Sequence, residues 1–192
     1  MIEFIEDTHT YLNEDGIIVP SVSELIRFKY PEMYQNVPKR VLKKKADYGS
    51  RAHGLVERFV KGEFTIEELR KKKIDPDLKI AVEEFENCRK MWAFHVKDME
   101  QIVCYDNRYC GKYDILTIDN YIVDIKTTSE LHEDWLRWQI SLYYKAAGIK
   151  QDFGFVIWLP KGKGGVVKQV LCLPDEELEQ LLKEYEKANP AS

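Results

Sequence analysis

The chain has 192 residues, of which 44% are hydrophobic and 32% are charged, and its net charge is −4 with both signs well mixed. This composition is typical of one folded domain with a charged surface, and it excludes a disordered chain. No apolar run approaches the ~20 residues that span a bilayer, and the first residues lack the pattern of a signal peptide, so we expect a cytoplasmic protein.

The first third of the sequence predicts a hairpin followed by helices. The hairpin turns at residues 13–16, and Ser21 with Glu24 forms the capping-box pattern of a helix start. A basic helix is expected from about Gln35 to Lys61, with residues 48–49 as a candidate interruption. A short helix can follow over residues 65–72.

The middle of the chain begins with a long amphipathic helix. Asp75-Pro76 supplies an N-cap and a proline at the first helical position. Apolar residues then recur at helical spacing as far as residue 96, at Leu78, Val82, Phe85, Trp92 and Val96.

Beyond Glu100 the apolar pattern changes to that of strands. Three consecutive antiparallel strands are expected, with turns at Asp106-Asn107 and Asp119-Asn120. A helix over residues 131–148, a buried strand over 153–159, a further strand and a closing helix complete the chain. This order predicts an α/β fold, a central sheet with helices on its faces.

We expect one domain over residues 1–192, because no linker or repeat interrupts the pattern. Its parts are the hairpin and basic helices (1–73), a core (75–160) and a last strand and helix (165–189).

The four cysteines form no CxxC pair, so a zinc site or an iron–sulfur cluster has little support. Disulfides are rare in cytosolic proteins. We therefore expect no disulfide and a structural role for all four, with Cys88 buried on the apolar face of its helix.

The segment YIVDIKTTSE contains the first sign of chemistry. Asp124 and Lys126 share one face of a strand, and Asp114 lies on the neighbouring strand. Two adjacent carboxylates repel unless a cation neutralises them, and Mg²⁺ or Mn²⁺ suits oxygen ligands. Lys126 could then orient water or stabilise developing negative charge.

The spacing of the two acids raises a difficulty of register. A strict two-residue turn at Asp119-Asn120 would pair Asp114 with Ile125 and place the acids on opposite faces. We therefore predict a loop of odd length, a bulge or a site at the strand ends.

Four motifs in order resemble the PD-(D/E)xK nuclease superfamily, and its RecB-type branch with phage and recombination exonucleases in particular. They are Gly49 to His53, Gly111 to Asp114, Asp124 to Thr127 and Gln139 to Tyr143. The likeness covers roughly residues 45–160. It implies a restriction-endonuclease-like core of order αβββαβ, with a mixed central sheet, to which the N-terminal hairpin is an extension.

The resemblance implies a role for each matched residue. His53, Asp114, Asp124 and the carbonyl of Ile125 would bind Mg²⁺ or Mn²⁺, and Lys126 would position or activate water. Gln139 and Tyr143 would brace the site or touch DNA. Some relatives hold an iron–sulfur cluster, which we do not expect here because Cys172 is the only late cysteine.

The implied function is a metal-dependent deoxyribonuclease that hydrolyses phosphodiesters with a metal-activated water. An exonuclease of phage or bacterial recombination and repair is expected, acting on single- or double-stranded DNA ends, with a recombination protein as a further partner. Phosphate contacts would come from basic residues of the predicted helix, namely Lys39, Arg40, Lys43, Lys44, Lys45 and Arg51. The alternatives are a silent nuclease-like module that binds DNA or protein and, last, a site-specific endonuclease.

Simpler interpretations exist for single residues. His53 could be an ordinary helical histidine, and Gln139 and Tyr143 could simply pack. Asp124 and Lys126 could form an exposed salt bridge worth under ~1 kcal/mol. Glu57 and Glu100 are candidate auxiliary ligands, for which a solvated surface position is the stronger expectation.

Overall fold

The computed structural model of the chain describes residues 2–6, 8–33, 35 and 37–190. Eight strands and six helices alternate along them. In chain order they are β1 (Glu3–Ile5), β2 (Thr10–Leu12), β3 (Ile18–Val19), α1 (Val22–Lys29), α2 (Lys39–Val60), α3 (Ile66–Lys71), α4 (Pro76–Met91), β4 (Val96–Tyr105), β5 (Tyr109–Thr117), β6 (Ile122–Lys126), α5 (Glu133–Ala147), β7 (Phe153–Trp158), β8 (Val166–Leu171) and α6 (Asp175–Ala188).

The central sheet has five strands in the order β4-β5-β6-β7-β8. Strands β6 and β7 are parallel and are connected through α5, whereas every other neighbouring pair is antiparallel. A parallel pair needs such a crossover, which a helix usually provides. The buried run in β7 lies inside the sheet, as its apolar sequence predicted.

Helices cover both faces of this sheet. One apolar cluster joins the sheet to α2, α3 and α4, and a second joins it to α1, α5 and α6. The predicted α/β fold, with a mixed sheet flanked by helices, is therefore confirmed. Gly154 allows α5 to cross β7 closely, because a Cβ there would lie 2.7 Å from Ile140 Cγ2.

The N-terminal hairpin belongs to a separate sheet of order β1-β2-β3. Its turn contains Gly16 at φ +73°, in the left-handed region that glycine tolerates. Ser21 caps α1 in a capping box with Glu24, as predicted. This segment contacts the central sheet where the Cys110 N–H donates to the Pro20 carbonyl at 2.9 Å.

Two helix boundaries differ from those predicted. Helix α2 runs without interruption through residues 48–49 and starts at Lys39; the start expected near Gln35 adjoins residue 36, which lies outside the described residues. Helix α4 ends at Met91, and Trp92 is 44% exposed. Val96 begins β4 instead of continuing the helix, so its helical spacing was coincidental.

The expectation of four unpaired cysteines is wrong. Cys104 and Cys110 form a disulfide with their Cα atoms 4.1 Å apart. They lie directly opposite each other in the β4–β5 hairpin, which brings their side chains together. Cys88, as predicted, is buried on α4.

Among the described residues, no helix combines the length and the apolar character that a membrane span requires.

Candidate metal and active site

The loop between β5 and β6 decides where the two aspartates lie. Ile115 pairs with Val123, and the Thr117 N–H donates to the Tyr121 carbonyl at 2.9 Å, so three residues form the loop. Continuing this register places Asp114 opposite Asp124. Of the three predicted alternatives, the structure shows the loop of odd length, which removes the difficulty that a two-residue turn would have caused.

The loop between β4 and β5 is also one residue longer than predicted. Tyr105 pairs with Tyr109, and the same register sets Glu100 opposite Asp114. Three acids therefore form a row across β4, β5 and β6, which we call the acid row: Glu100, Asp114 and Asp124.

Glu100 is not the solvated surface acid that we expected. Its side chain is 18% exposed, and Lys112 Nζ lies 2.6 Å from its carboxylate. Its φ of +54° is unusual for a residue other than glycine, and such strain is concentrated at functional sites. Glu57, by contrast, forms a surface ion pair with Lys61 on α2.

Helix α2 brings His53 to the acid row. The His53 Nδ1 atom lies 3.3 Å from Asp114 Oδ1, and one ligand atom each of His53, Glu100 and Asp114 lies within 4.8 Å of the others. Gly49, one turn earlier, allows the helix this close to the end of β6, because a Cβ there would lie 3.2 Å from Thr127 Oγ1.

Asp124 and Lys126 form an ion pair at the end of β6. The Lys126 Nζ atom lies 2.8 Å from Asp124 Oδ2, and the two side chains are 21% and 3% exposed. The alternative of an exposed salt bridge is therefore wrong. Apart from this ammonium, Asp124 Oδ2 has no polar partner among the described residues.

The backbone of Ile125 completes this side of the site. Its N–H donates to Asp114 Oδ2 at 2.6 Å. In a strand the N–H and C=O of one residue point to the same edge. The Ile125 carbonyl is thus directed to the edge of β6 at which Asp114 lies.

Neighbouring charges and burial shift the pKa values of the site in opposite directions. Burial raises the pKa of Asp124 to about 6; Lys126 opposes the shift and Asp114 adds to it. Burial would also raise the pKa of Asp114, but His53 and Lys126 outweigh it and the pKa is lowered. Burial would lower the pKa of His53, yet the Asp114 carboxylate prevails and the pKa is raised.

Gln139 and Tyr143 lie behind the acid row on α5. Both are buried, and the Gln139 Nε2 atom donates to the Tyr143 hydroxyl at 3.1 Å. The Tyr143 ring lies against Gly111, where a Cβ would be only 2.6 Å from Tyr143 Cε1. The glycine of the G-x-x-D motif therefore makes room for the tyrosine of the Q-x-x-x-Y motif.

The basic residues of α2 divide into two groups. Lys44 and Lys45 line a cleft of about 350 Å³ beside the end of β6, and the other four named basic residues are exposed elsewhere on the helix. Two further lysines that the sequence did not single out, Lys161 and Lys163, also line the cleft. The three residues that directly follow Lys126 in the chain line the cleft as well, namely Thr127, Thr128 and Ser129.

The donor set fits a hard divalent cation. It offers carboxylate oxygens, one imidazole and a backbone carbonyl, and the buried Asp124 Oδ2 atom has the Lys126 ammonium as its one polar contact among the described residues. Mg²⁺ and Mn²⁺ take such ligands. Asp124 itself lies outside the compact group of His53, Glu100 and Asp114, in which Glu100 occupies the place that we had predicted for Asp124.

No family model and no curated protein matches this chain. Among solved structures, it is similar to the crystal structure of SSO0001, with a TM-score of 0.52 and 12% sequence identity. The match covers 89% of this chain and 76% of the other. At that identity, the likeness concerns the fold alone.

Proposed function

We propose that the protein is a Mg²⁺- or Mn²⁺-dependent deoxyribonuclease with a restriction-endonuclease-like core. One observation carries the proposal: His53, Asp114, Asp124 and Lys126 come from α2, β5 and β6 and converge at one place, with Asp114 opposite Asp124. The order of α4, β4, β5, β6, α5 and β7 agrees with the αβββαβ core.

His53, Glu100, Asp114, Asp124 and the Ile125 carbonyl would hold the cation. A bound divalent cation supplies an activated nucleophile and stabilises the charge that develops on phosphorus oxygens. The protein supplies the fixed geometry. The His53–Asp114 contact and the Ile125–Asp114 hydrogen bond hold Asp114, so its carboxylate loses little freedom on binding.

Lys126 is the group that the mechanism uses beside the ligands. Its ammonium is held against Asp124. The next residues of the chain, Thr127 to Ser129, line the cleft together with Lys44 and Lys45. The positive charge of Lys126 would stabilise negative charge on a phosphate that enters from the cleft, and its N–H groups would orient the attacking water.

The test is incubation of the purified protein with end-labelled linear DNA and with closed circular DNA, in Mg²⁺, Mn²⁺ or EDTA. Loss of linear DNA alone, only with a metal, is the expected result for an exonuclease. Cutting of circles would instead indicate an endonuclease. Retained DNA binding without cleavage in any metal would favour the silent binding module, with which the net charge of −4 is compatible.

Glu100 provides a prediction that the motif does not contain. We expect Glu100→Gln to weaken Mn²⁺ binding about tenfold or more, because it removes a carboxylate from the compact group around Asp114. Isothermal titration calorimetry measures the affinity. Glu57→Gln is the matched control, since Glu57 pairs with Lys61 outside the group, and equal losses in both variants would exclude Glu100 as a ligand.

A second prediction concerns the cleft. Changing Lys44 and Lys45 together to alanine should weaken DNA binding and reduce the salt slope by about 1.4–1.8, since each phosphate contact contributes roughly 0.7–0.9. The control is the double change of Lys183 and Lys187, two exposed lysines of α6. Filter binding at several salt concentrations gives both slopes, and an unchanged slope in the α2 variant would remove this cleft from the interface.

A further inference from the structure

Three buried polar side-chain atoms have no hydrogen-bond partner among the described residues: Tyr11 OH, Asp124 Oδ2 and Gln139 Oε1. Leaving such an atom unpartnered costs about 1–3 kcal/mol, so native folds rarely keep one without a reason. Asp124 belongs to the proposed site and Gln139 stands behind it. Tyr11 is on β2, in the N-terminal hairpin, and the nuclease motifs do not include it.

Tyr11 lies on the face of β5 that carries the acid row. It packs against Cys110, whose side chain shares a face with Lys112 and Asp114, whereas the Tyr143 ring lies against the neighbouring Gly111 from the other face. Tyr143 is also hydrogen-bonded to Gln139. Tyr11, with its unpartnered hydroxyl, therefore lies on the face of the sheet that carries the acid row.

A chain of contacts links Tyr11 to Glu100 as well. The Tyr11 ring stacks on Phe4 with 4.8 Å between centroids. Lys112 Nζ lies 5.7 Å from the centroid of the Phe4 ring and 2.6 Å from the Glu100 carboxylate. The hairpin is thus linked through Lys112 to Glu100, the β4 member of the acid row.

Solvent exposure falls from His53 through Asp114 to Tyr11. The side chain of His53 is 27% exposed, that of Asp114 13%, and Tyr11 only 1%. The Tyr11 side chain is therefore closed to bulk solvent.

The Tyr11 hydroxyl and the Gln139 amide oxygen, which unlike Asp124 Oδ2 have no charged neighbour in contact, share one chemical property, which is that each can accept a hydrogen bond. Burial and the carboxylates of Glu100 and Glu24 raise the pKa of Tyr11 to about 12, so its hydroxyl stays neutral at working pH. The water molecules of a hydrated Mg²⁺ or Mn²⁺ ion present their hydrogens outward, and Mg²⁺ usually keeps several of them. A buried hydrogen-bond acceptor such as the Tyr11 hydroxyl is suited to the outward hydrogens of these water molecules.

We propose that Tyr11 is a positioning residue of the metal site, whose hydroxyl accepts a hydrogen bond from a water molecule of the hydrated divalent cation. The N-terminal hairpin is then part of the site and not only an extension of the fold. This inference shares with the proposed function the need for a cation at the acid row, but it does not need DNA cleavage.

The experiment compares Tyr11→Phe with Tyr109→Phe in the full chain. Tyr109 is the matched control, because its buried hydroxyl donates to the Leu142 carbonyl at 2.9 Å. Titration calorimetry with Mn²⁺ alone gives the affinity, and thermal unfolding in EDTA gives the stability. Tyr11→Phe should lose about 10–100-fold in Mn²⁺ affinity without losing stability. Tyr109→Phe should lose stability and keep the affinity.

Two results would overturn the inference: wild-type Mn²⁺ affinity in Tyr11→Phe, or an equal loss of affinity in Tyr109→Phe, which would indicate a general disturbance. A wild-type protein that binds no Mn²⁺ would overturn it as well. DNA cleavage is measured in parallel on the wild type. Binding of Mn²⁺ that weakens in Tyr11→Phe, together with no cleavage, would refute the proposed nuclease and sustain the role of Tyr11.

Discussion

Lys126→Ala is expected to lower the rate of DNA cleavage about 100- to 1,000-fold, the usual cost of removing one preorganised group that stabilises transition-state charge. The folded structure and Mn²⁺ binding should persist, because Lys126 is not a ligand. Its removal leaves the buried Asp124 carboxylate without its ammonium partner, and a bound cation can replace that partner. Single-turnover cleavage in Mn²⁺ and calorimetric Mn²⁺ binding measure the two effects.

The control for this substitution is Lys97→Ala. Lys97 is an exposed lysine of β4, so it tests the loss of a lysine from the same sheet without touching the site. Comparable cleavage by Lys126→Ala and Lys97→Ala would show that the reacting phosphate lies elsewhere.

Asp124→Asn should abolish most cleavage and nevertheless stabilise the metal-free protein at neutral pH. The pKa of Asp124 is about 6 in the folded protein, above the 3.8 of an ordinary aspartate. A carboxyl with a raised pKa binds its proton more tightly when folded, so the wild type loses stability as the pH rises from about 4 to 6. Asparagine carries no charge and avoids that loss.

Thermal unfolding in EDTA at pH 4.5 and at pH 8 measures the effect. The variant should melt several degrees above the wild type at pH 8, and the difference should shrink at pH 4.5. With Mn²⁺ present at pH 8 the order should reverse, because the wild type, with its additional carboxylate, binds the cation more tightly than the variant and gains more from it. A variant that is less stable than the wild type in EDTA at pH 8 would contradict the burial of an ionised Asp124.

Much of the fold could be predicted from apolar periodicity. The helices that start with Ser21 and Asp75 have local capping signals, and the buried run of β7 has no competing interpretation. The end of α4 could not be predicted, because Trp92 and Val96 keep the helical spacing by chance after Met91. The disulfide could not be predicted from an expected cytoplasmic location, because cysteine pairing depends on which residues the strand register sets opposite each other.

The candidate site was predicted in part for a related reason. Motif spacing identified His53, Asp114 and Lys126, but Glu100 depends on the length of the loop after β4. A two-residue turn there would place Tyr113, and not Asp114, opposite Glu100. Sequence composition does not reveal whether a turn has two or three residues. One additional residue in the loop shifts the pairing by one and changes which side chains of the two strands share a face of the sheet. Tyr11 could not be found from spacing, because tertiary packing brings it to the site.

The Cys104–Cys110 disulfide has a consequence for how the acid row is held. Strands that slip by two residues keep each side chain on its face, so such a slip would leave the acids correctly facing but out of line. A covalent bond between opposed residues forbids that slip. Oxidised protein therefore has one alignment of Glu100 with Asp114, and reduced protein relies on ladder hydrogen bonds and side-chain contacts between the strands. Protein in a buffer with a thiol reductant thus differs from protein without one in whether this disulfide is present. Cation affinities should therefore be compared only between proteins in the same redox state.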